Sequence, residues 1–281
     1  LVYWGTGNPG PDWNGDVRMG DNLYSDSVLA LDGDTGEMSW YFQFTPHDEH
    51  DWDAIQIPVL ADIEVDGEAR KAMLWANRNA FYYTLDRETG EFLLGKEFAH
   101  QTWAEGLDAN GRPIRRPGTK PSTEGTLVAP IAGGGTNWWS PSYSPRTGLL
   151  YVNAFDGEAL FFNREEEYSE GDTFLGGGTE TPLPIDNYHS AIRAIDPTTG
   201  DVEWEFPITP RSRSGVLATA GDLVFAAGAD GILFALDAAS GEPLWHIPLG
   251  GPVNAQPMSY AVDGQQYVTM PVGNIVYTFG L

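Results

Sequence analysis

Short apolar runs of strand length, each closed by a cluster of turn-forming residues, succeed one another along the whole chain. Leu149-Leu-Tyr-Val-Asn-Ala154, Asp222-Leu-Val-Phe-Ala-Ala227 and Tyr267-Val-Thr-Met270 are rich in β-branched and aromatic residues, which suit a pleated, half-buried surface. No stretch sustains the periodicity of an amphipathic helix, and 34 Gly with 20 Pro in 281 residues interrupt helices and punctuate turns. The pattern predicts an all-β protein. Leu1-Val-Tyr-Trp4 reads as a strand already under way, so the sequence is expected to begin inside a larger fold.

One unit of the pattern recurs. Ala30-Leu-Asp-Gly-Asp-Thr-Gly-Glu-Met-Ser-Trp40 returns as Ala194-Ile-Asp-Pro-Thr-Thr-Gly-Asp-Val-Glu-Trp204, as Ala235-Leu-Asp-Ala-Ala-Ser-Gly-Glu-Pro-Leu-Trp245 and, more loosely, as Thr84-Leu-Asp-Arg-Glu-Thr-Gly-Glu-Phe-Leu-Leu94. Each copy predicts strand, tight turn, strand: the Asp accepts from turn amides and the Gly takes a positive φ. Ser144-Pro-Arg-Thr-Gly-Leu-Leu-Tyr151 is a degenerate fifth turn. The repeated Asp residues 32, 86, 196 and 237 are spaced by 54, 110 and 41 positions. A unit of about 40 to 50 residues built from short strands is the period of a propeller blade. The expectation is therefore a single partial β-propeller domain over residues 1–281, made of four-stranded antiparallel blades. Trp40, Trp204 and Trp245 predict packing between blades, not a cofactor box. Two inserts, residues 99–136 and 163–190, are polar and rich in Gly and Pro; binding loops over one propeller face and disordered decoration are both open for them.

Composition narrows the partners. Forty acidic against 15 basic residues give a net charge of −25, a field that repels phosphate backbones and anionic lipid and favours a basic protein or bound cations. No apolar run is long enough to span a membrane, and these residues show no signal-peptide pattern. The absence of Cys removes disulfides, thiolate catalysis and Cys-ligated zinc from this stretch.

Candidate chemistry concentrates in Thr45-Pro-His-Asp-Glu-His-Asp-Trp-Asp53, where four carboxylates and two imidazoles crowd into nine residues. Such a run is costly unless a cation neutralises it. A turn can converge two of the carboxylates, Asp51 and Asp53, on one hard metal ion; a solvated acidic turn is the alternative. His47 and His50 lack the spacing of a zinc site and are expected to stabilise the turn. Gly5-Thr-Gly-Asn-Pro-Gly10 matches a dinucleotide-binding pattern, but Pro11-Asp-Trp-Asn follows where that site needs a helix. Asn8 in this turn offers a neutral oxygen ligand for a hard ion. Gly133-Gly-Gly-Thr-Asn-Trp-Trp139 lacks the Lys of a phosphate-binding loop and instead suggests a flat aromatic pocket. Arg78, read at the start of a strongly apolar strand, requires a partner for its charge.

Taken together, Gly5-Thr-Gly-Asn-Pro9 with Trp13-Asn14, Gly20-Asp-Asn-Leu-Tyr24, Thr45-Pro-His-Asp48, Arg78-Asn79 with Tyr83-Thr-Leu-Asp-Arg87, and Ala218-Thr-Ala-Gly-Asp-Leu-Val224 resemble the quinoprotein alcohol dehydrogenases of the methanol/ethanol dehydrogenase family. These carry pyrroloquinoline quinone (PQQ) in an eight-bladed propeller, of which this chain resembles the carboxyl-terminal half. The resemblance implies Asn8, Asp51 and Asp53 as metal ligands, Asp51 also as the catalytic base, Arg78 beside the quinone carbonyls, and Asn137 with Trp138 near the cofactor. Asp53 resembles the extra carboxylate of the lanthanide-dependent branch; calcium enzymes usually carry a small or hydroxyl residue there. A lanthanide(III) ion or Ca²⁺ is thus the implied metal, a primary alcohol the substrate, a c-type cytochrome the electron acceptor and the periplasm the location.

Neither nucleic acid nor a membrane span is expected. The family's metal-ligating Glu, the Trp beneath the quinone and the adjacent-cysteine disulfide would belong to an amino-terminal half preceding Leu1. An aromatic often found near Arg213 is missing. A non-catalytic propeller scaffold, or a quinoprotein acting on sugar or polymer alcohols, is the alternative, and half of a closed propeller is expected to be inactive alone, with unpaired edges.

Overall fold

The computed structural model describes residues 1–65, 67–184 and 187–280. Among these residues there is no α-helix, only short helical turns such as Gly15–Val17, and no helix is long and apolar enough to cross a membrane. The strands pair antiparallel, as the apolar pattern predicts, with turns and irregular segments between them.

Two compact units form. The first comprises Leu1–Asn137 and Asp156–Pro184, the second Trp138–Phe155 and Ile185–Leu281. In the first, Val2–Gly5, Ser27–Leu31 and Met38–Gln43 make a three-stranded sheet; Val59–Val65, Glu68–Ala76, Phe81–Asp86 and Phe92–Glu97 make a four-stranded meander. The second holds two four-stranded meanders, Ser142–Ser144 to Val202–Pro207 and Leu217–Ala218 to Pro243–Pro248, and a three-stranded one, Met258–Val262 to Ile275–Gly280. The central strands are buried on both faces: every residue of Phe81–Asp86 is buried. This is why they read as continuous apolar runs without alternation.

The repeat is built as its sequence predicts. Asp86 Oδ1 accepts the N–H groups of Glu88 (2.9 Å) and Thr89 (3.0 Å), and Asp237 Oδ1 those of Ala239 (3.0 Å) and Ser240 (2.9 Å). A register shift recurs at the same point of each copy, between Ala30 and Leu31, Thr84 and Leu85, Ala194 and Ile195, and Ala235 and Leu236. The repeated Trp reaches the next sheet. A Cβ on Gly90 (φ +79°) would come within 2.7 Å of the Trp40 ring, and one on Gly241 (φ +72°) within 2.6 Å of the Trp204 ring. Glycine is therefore required twice over, by its φ and by the indole against it.

The inserts are more ordered than loops. Residues 99–136 contain the hairpin Ala104–Leu107 with Pro113–Arg115 and the strand Thr126–Val128; the latter pairs with Ala159–Asn163, which pairs in turn with Gly177–Glu180. Residues 185 and 186 of the second insert lie outside the described residues. Short polar strands with Gly neighbours lack the apolar pattern by which strands are read, which is why the sequence shows them as loops.

Candidate functional site

The acidic run connects Met38–Gln43 to Val59–Val65, and its four carboxylates separate into two pairs. Asp48, fully buried, accepts the backbone N–H groups of His50 (3.0 Å) and Trp52 (2.8 Å). Burial nevertheless raises its pKa to about 6. Glu49, also buried, accepts the Gly15 N–H at 3.2 Å and pairs with Arg115 at 3.2 Å. Half of the run thus holds the turn. Both imidazoles do the same: His47 Nδ1 lies 2.8 Å from the Gly20 carbonyl, and His50 Nε2–H donates to the Thr119 carbonyl at 2.9 Å. The His50 ring stacks on Trp52 with centroids 4.3 Å apart, and burial lowers its pKa to about 3, so it is neutral.

Asp51 and Asp53 remain, on either side of the buried Trp52. A positive φ of 62° at Asp51 bends the chain here, and the two carboxylates meet on one guanidinium. Arg78 Nη2 donates to Asp51 Oδ2 at 3.2 Å and to the Ala132 carbonyl, while Nη1 donates to Asp53 Oδ2. Arg78 sits in the turn between Glu68–Ala76 and Phe81–Asp86, not on the strand itself, and is 6% exposed. Three oxygens offset the cost of burying its charge. Asp51 is raised to about 7, chiefly by burial; Arg78 opposes the shift, and the neighbouring Asp53, Asp48 and Asp12 add to it.

Asn8 arrives from the turn that follows Val2–Gly5. Its backbone N–H donates to Asp53 Oδ1 at 2.7 Å. Its side-chain nitrogen is buried with no partner in hydrogen-bonding geometry. Burial also lifts Asp12 above the ordinary carboxylate range, with the Asn8 amide pulling the other way. The structure therefore brings Asn8, Asp51, Asp53 and Arg78 together within the first unit. Two carboxylates and an amide are hard oxygen donors, and two half-buried carboxylates sharing one guanidinium still carry excess negative charge. These residues fit a hard cation. They offer only part of a coordination shell, because among the described residues no three His, Cys, Asp or Glu side chains group so as to hold a metal.

Asn137 belongs to the loop that grips Arg78. Its Nδ2 donates to the Gly133 carbonyl at 2.8 Å, and two residues on, the Gly135 N–H donates to the Arg78 carbonyl at 2.9 Å. Gly134 (φ +80°) lies so close that a Cβ there would sit 2.7 Å from Arg78 Cα. Trp138 begins the second unit and is 43% exposed.

Two residues at the site escape the sequence reading. Gln56 donates to the Asp53 carbonyl at 3.1 Å, and its own oxygen accepts from Trp75 Nε1 (3.1 Å) and Asn77 Nδ2 (3.3 Å). A lone polar residue in the apolar stretch Ala54-Ile-Gln-Ile-Pro-Val59 is its only trace in sequence. Asp26 is fully buried with both carboxyl oxygens unpartnered, and burial with the nearby Asp48 raises its pKa well above the usual range. In Ser25-Asp-Ser27 it reads as an ordinary surface turn.

The chain has relatives among known proteins. Residues 1–98 and 208–268 match the family model described as PQQ: glucose/ethanol/alcohol dehydrogenase, beta-propeller domain. The quinoprotein alcohol dehydrogenase PedH of Pseudomonas putida is 40% identical over 97% of this chain and 47% of its own length. The 1-butanol dehydrogenase (cytochrome c) of Thauera butanivorans is 38% identical over 90% of this chain and 38% of its own length. A solved structure, a europium-containing methanol dehydrogenase, superposes with a TM-score of 0.88 at 31% identity, over 95% of this chain and 48% of that one. The chain spans about half the length of the curated relatives it matches, or less. Its sheets are propeller blades, and the chain belongs to the PQQ-dependent glucose/ethanol/alcohol dehydrogenase β-propeller family.

Proposed function

We propose that this chain is the part of a PQQ-dependent alcohol dehydrogenase that carries its catalytic base, and that the intact protein oxidises a primary alcohol to the aldehyde. The convergence of Asp51 and Asp53 on Arg78, with Asn8 on Asp53, carries this reading. In it, residues 1–281 act as one partial propeller domain, completed by an amino-terminal half that supplies the remaining metal ligand.

When bound, PQQ accepts the two electrons of the alcohol and the metal serves as a Lewis acid. The residues of this chain do the rest. Asp51 takes the hydroxyl proton of the alcohol at a carboxylate oxygen. Asn8, Asp51 and Asp53 would hold the metal, and the Arg78 guanidinium would stabilise negative charge that develops beside it. Asn137, on the Gly-rich loop behind Arg78, would lie near the cofactor, and Trp138 is the aromatic candidate for the same role.

Asp53 favours a lanthanide(III) ion over Ca²⁺, since a trivalent ion gains more from an added carboxylate. The likeness to a europium-containing methanol dehydrogenase supports that choice. A c-type cytochrome is the proposed electron acceptor: a relative is named for cytochrome c, and a net charge of −25 suits a basic partner. The proposed location is the periplasm.

The test is reconstitution of the intact protein with PQQ and either La³⁺ or Ca²⁺, followed by dye reduction with methanol, ethanol and glucose. Turnover of a short alcohol is expected. Bound-quinone absorbance without turnover of any alcohol would overturn the enzymatic reading, and turnover of glucose alone would reassign the substrate.

A further inference from the structure

Arg78 is held by more than its own ion pairs. Both of its neighbours in the turn are fastened to the segment that carries Asp51 and Asp53. On one side, Asn77 donates to Gln56 Oε1 at 3.3 Å, while Gln56 Nε2 donates to the Asp53 carbonyl at 3.1 Å. On the other side, the Asn79 carbonyl accepts Trp103 Nε1–H at 2.9 Å, and the Trp103 ring lies against Trp52, with centroids 4.9 Å apart. Trp52 in turn donates its indole N–H to the Ile131 carbonyl at 3.1 Å, one residue before the Ala132 carbonyl that Arg78 grips. Gln56, Trp52 and Trp103 are all inaccessible or nearly so.

From this geometry we infer that Gln56 and the Trp52–Trp103 pair are positioning residues, a two-sided bracket that sets the distance between the Asp51/Asp53 carboxylates and the Arg78 guanidinium. The inference rests on the active-site reading above and deepens it. Neither arm touches a reacting atom. Each links two chain segments far apart in sequence: residues 53 and 77 through one amide, residues 52 and 79 through two indoles. Side chains of this kind are stiff where they are buried and hydrogen-bonded at both ends, whereas an ion pair alone tolerates sliding of one group past the other. A displacement of about 1 Å at such a site is enough to cost roughly 10²-fold in rate.

The bracket predicts coupling, which a purely structural role does not. In the intact protein, Gln56→Met keeps the length of the side chain and removes its three hydrogen bonds; Trp103→Phe keeps a ring and removes its N–H. Each is made alone and in an Arg78→Ala background. Two quantities are read: kcat and KM for the alcohol, and the equilibrium affinity of the apoprotein for PQQ from quenching of tryptophan fluorescence.

With Arg78 present, each variant should lower kcat by roughly tenfold or more, leave KM within about twofold, and weaken PQQ binding. With Arg78 absent, the same substitutions should change PQQ affinity by less than about twofold, because nothing is left to misplace. Tyr151→Phe removes another buried bond to a backbone carbonyl, at 2.8 Å to Ala238 in the second unit, and should leave kcat unchanged. Equal losses in both backgrounds, or no loss in either, would overturn the bracket while leaving the Arg78 assignment intact. Full turnover and full PQQ affinity in Arg78→Ala itself would overturn the active-site reading and the bracket with it.

Discussion

Asn8 donates its backbone N–H to Oδ1 of Asp53 at 2.7 Å, across 45 positions of sequence. The other carboxylate oxygen of Asp53 takes Arg78. One side chain therefore ties the Asn8 turn to the Arg78 turn, and in the proposed reading it is also a metal ligand. Replacing it should act on metal preference more than on the fold. With Asp53→Ala, dye-linked activity is expected to fall steeply when the intact protein is loaded with La³⁺ or Ce³⁺ and to survive better with Ca²⁺, since the divalent ion gains less from the added anionic ligand. An equal loss with both kinds of ion would contradict the lanthanide preference.

Asp51 differs from Asp53 in what its loss should do. Asp51→Asn keeps the shape of the side chain and an acceptor for Arg78 Nη2, but cannot take a proton. A positioned general base contributes about 10²- to 10⁴-fold. Alcohol turnover should drop within that range while the absorbance of bound quinone persists. Turnover at the unmutated rate would remove Asp51 from the chemistry.

The sequence makes the chemistry-bearing residues visible and hides the scaffold that aims them. The repeat is legible because every copy spells its own turn: Asp86 and Asp237 each satisfy local amides, a demand that shows within three residues of sequence. Arg78 is legible because charge is expensive to bury and conspicuous next to an apolar strand, and Asp51 and Asp53 because four carboxylates crowd into one short run. Asp48 and Glu49 belong to the same acidic run, yet their structural duty depends on Trp52 N–H, Gly15 N–H and Arg115, partners that only the folded chain supplies. Gln56 is less visible still, since a neutral amide carries no charge to betray what it joins.

Arg78→Lys tests geometry against charge. The guanidinium spans Asp51, Asp53 and the Ala132 carbonyl with two nitrogens held in one plane. An ammonium is a single point of charge on a flexible stem and cannot reproduce that fork. Loss of such an electrostatic partner typically costs about 10²-fold or more. The lysine variant is expected to lose kcat on that scale in dye-linked turnover, much as Arg78→Ala does. Near-normal kcat in the lysine variant would mean that charge alone suffices.

Gly148 and Gly90 both turn with a positive φ, 74° and 79°, but of the two only Gly90 has an indole against it. The comparison separates two costs of a side chain at such a turn. Gly148→Ala meets open space and should cost only the left-handed backbone conformation, about 1–2 kcal/mol. Gly90→Ala carries the same backbone cost and must also push Trp40 aside, adding roughly 1–3 kcal/mol of overpacking. Gly241→Ala, whose Cβ would meet the Trp204 ring at 2.6 Å, should behave like Gly90→Ala although it lies in the other unit. Denaturant midpoints of the three variants of the intact protein would decide it. If Gly148→Ala shifts the midpoint as far as the other two, the indole contact adds nothing, and the glycine is kept for its backbone alone.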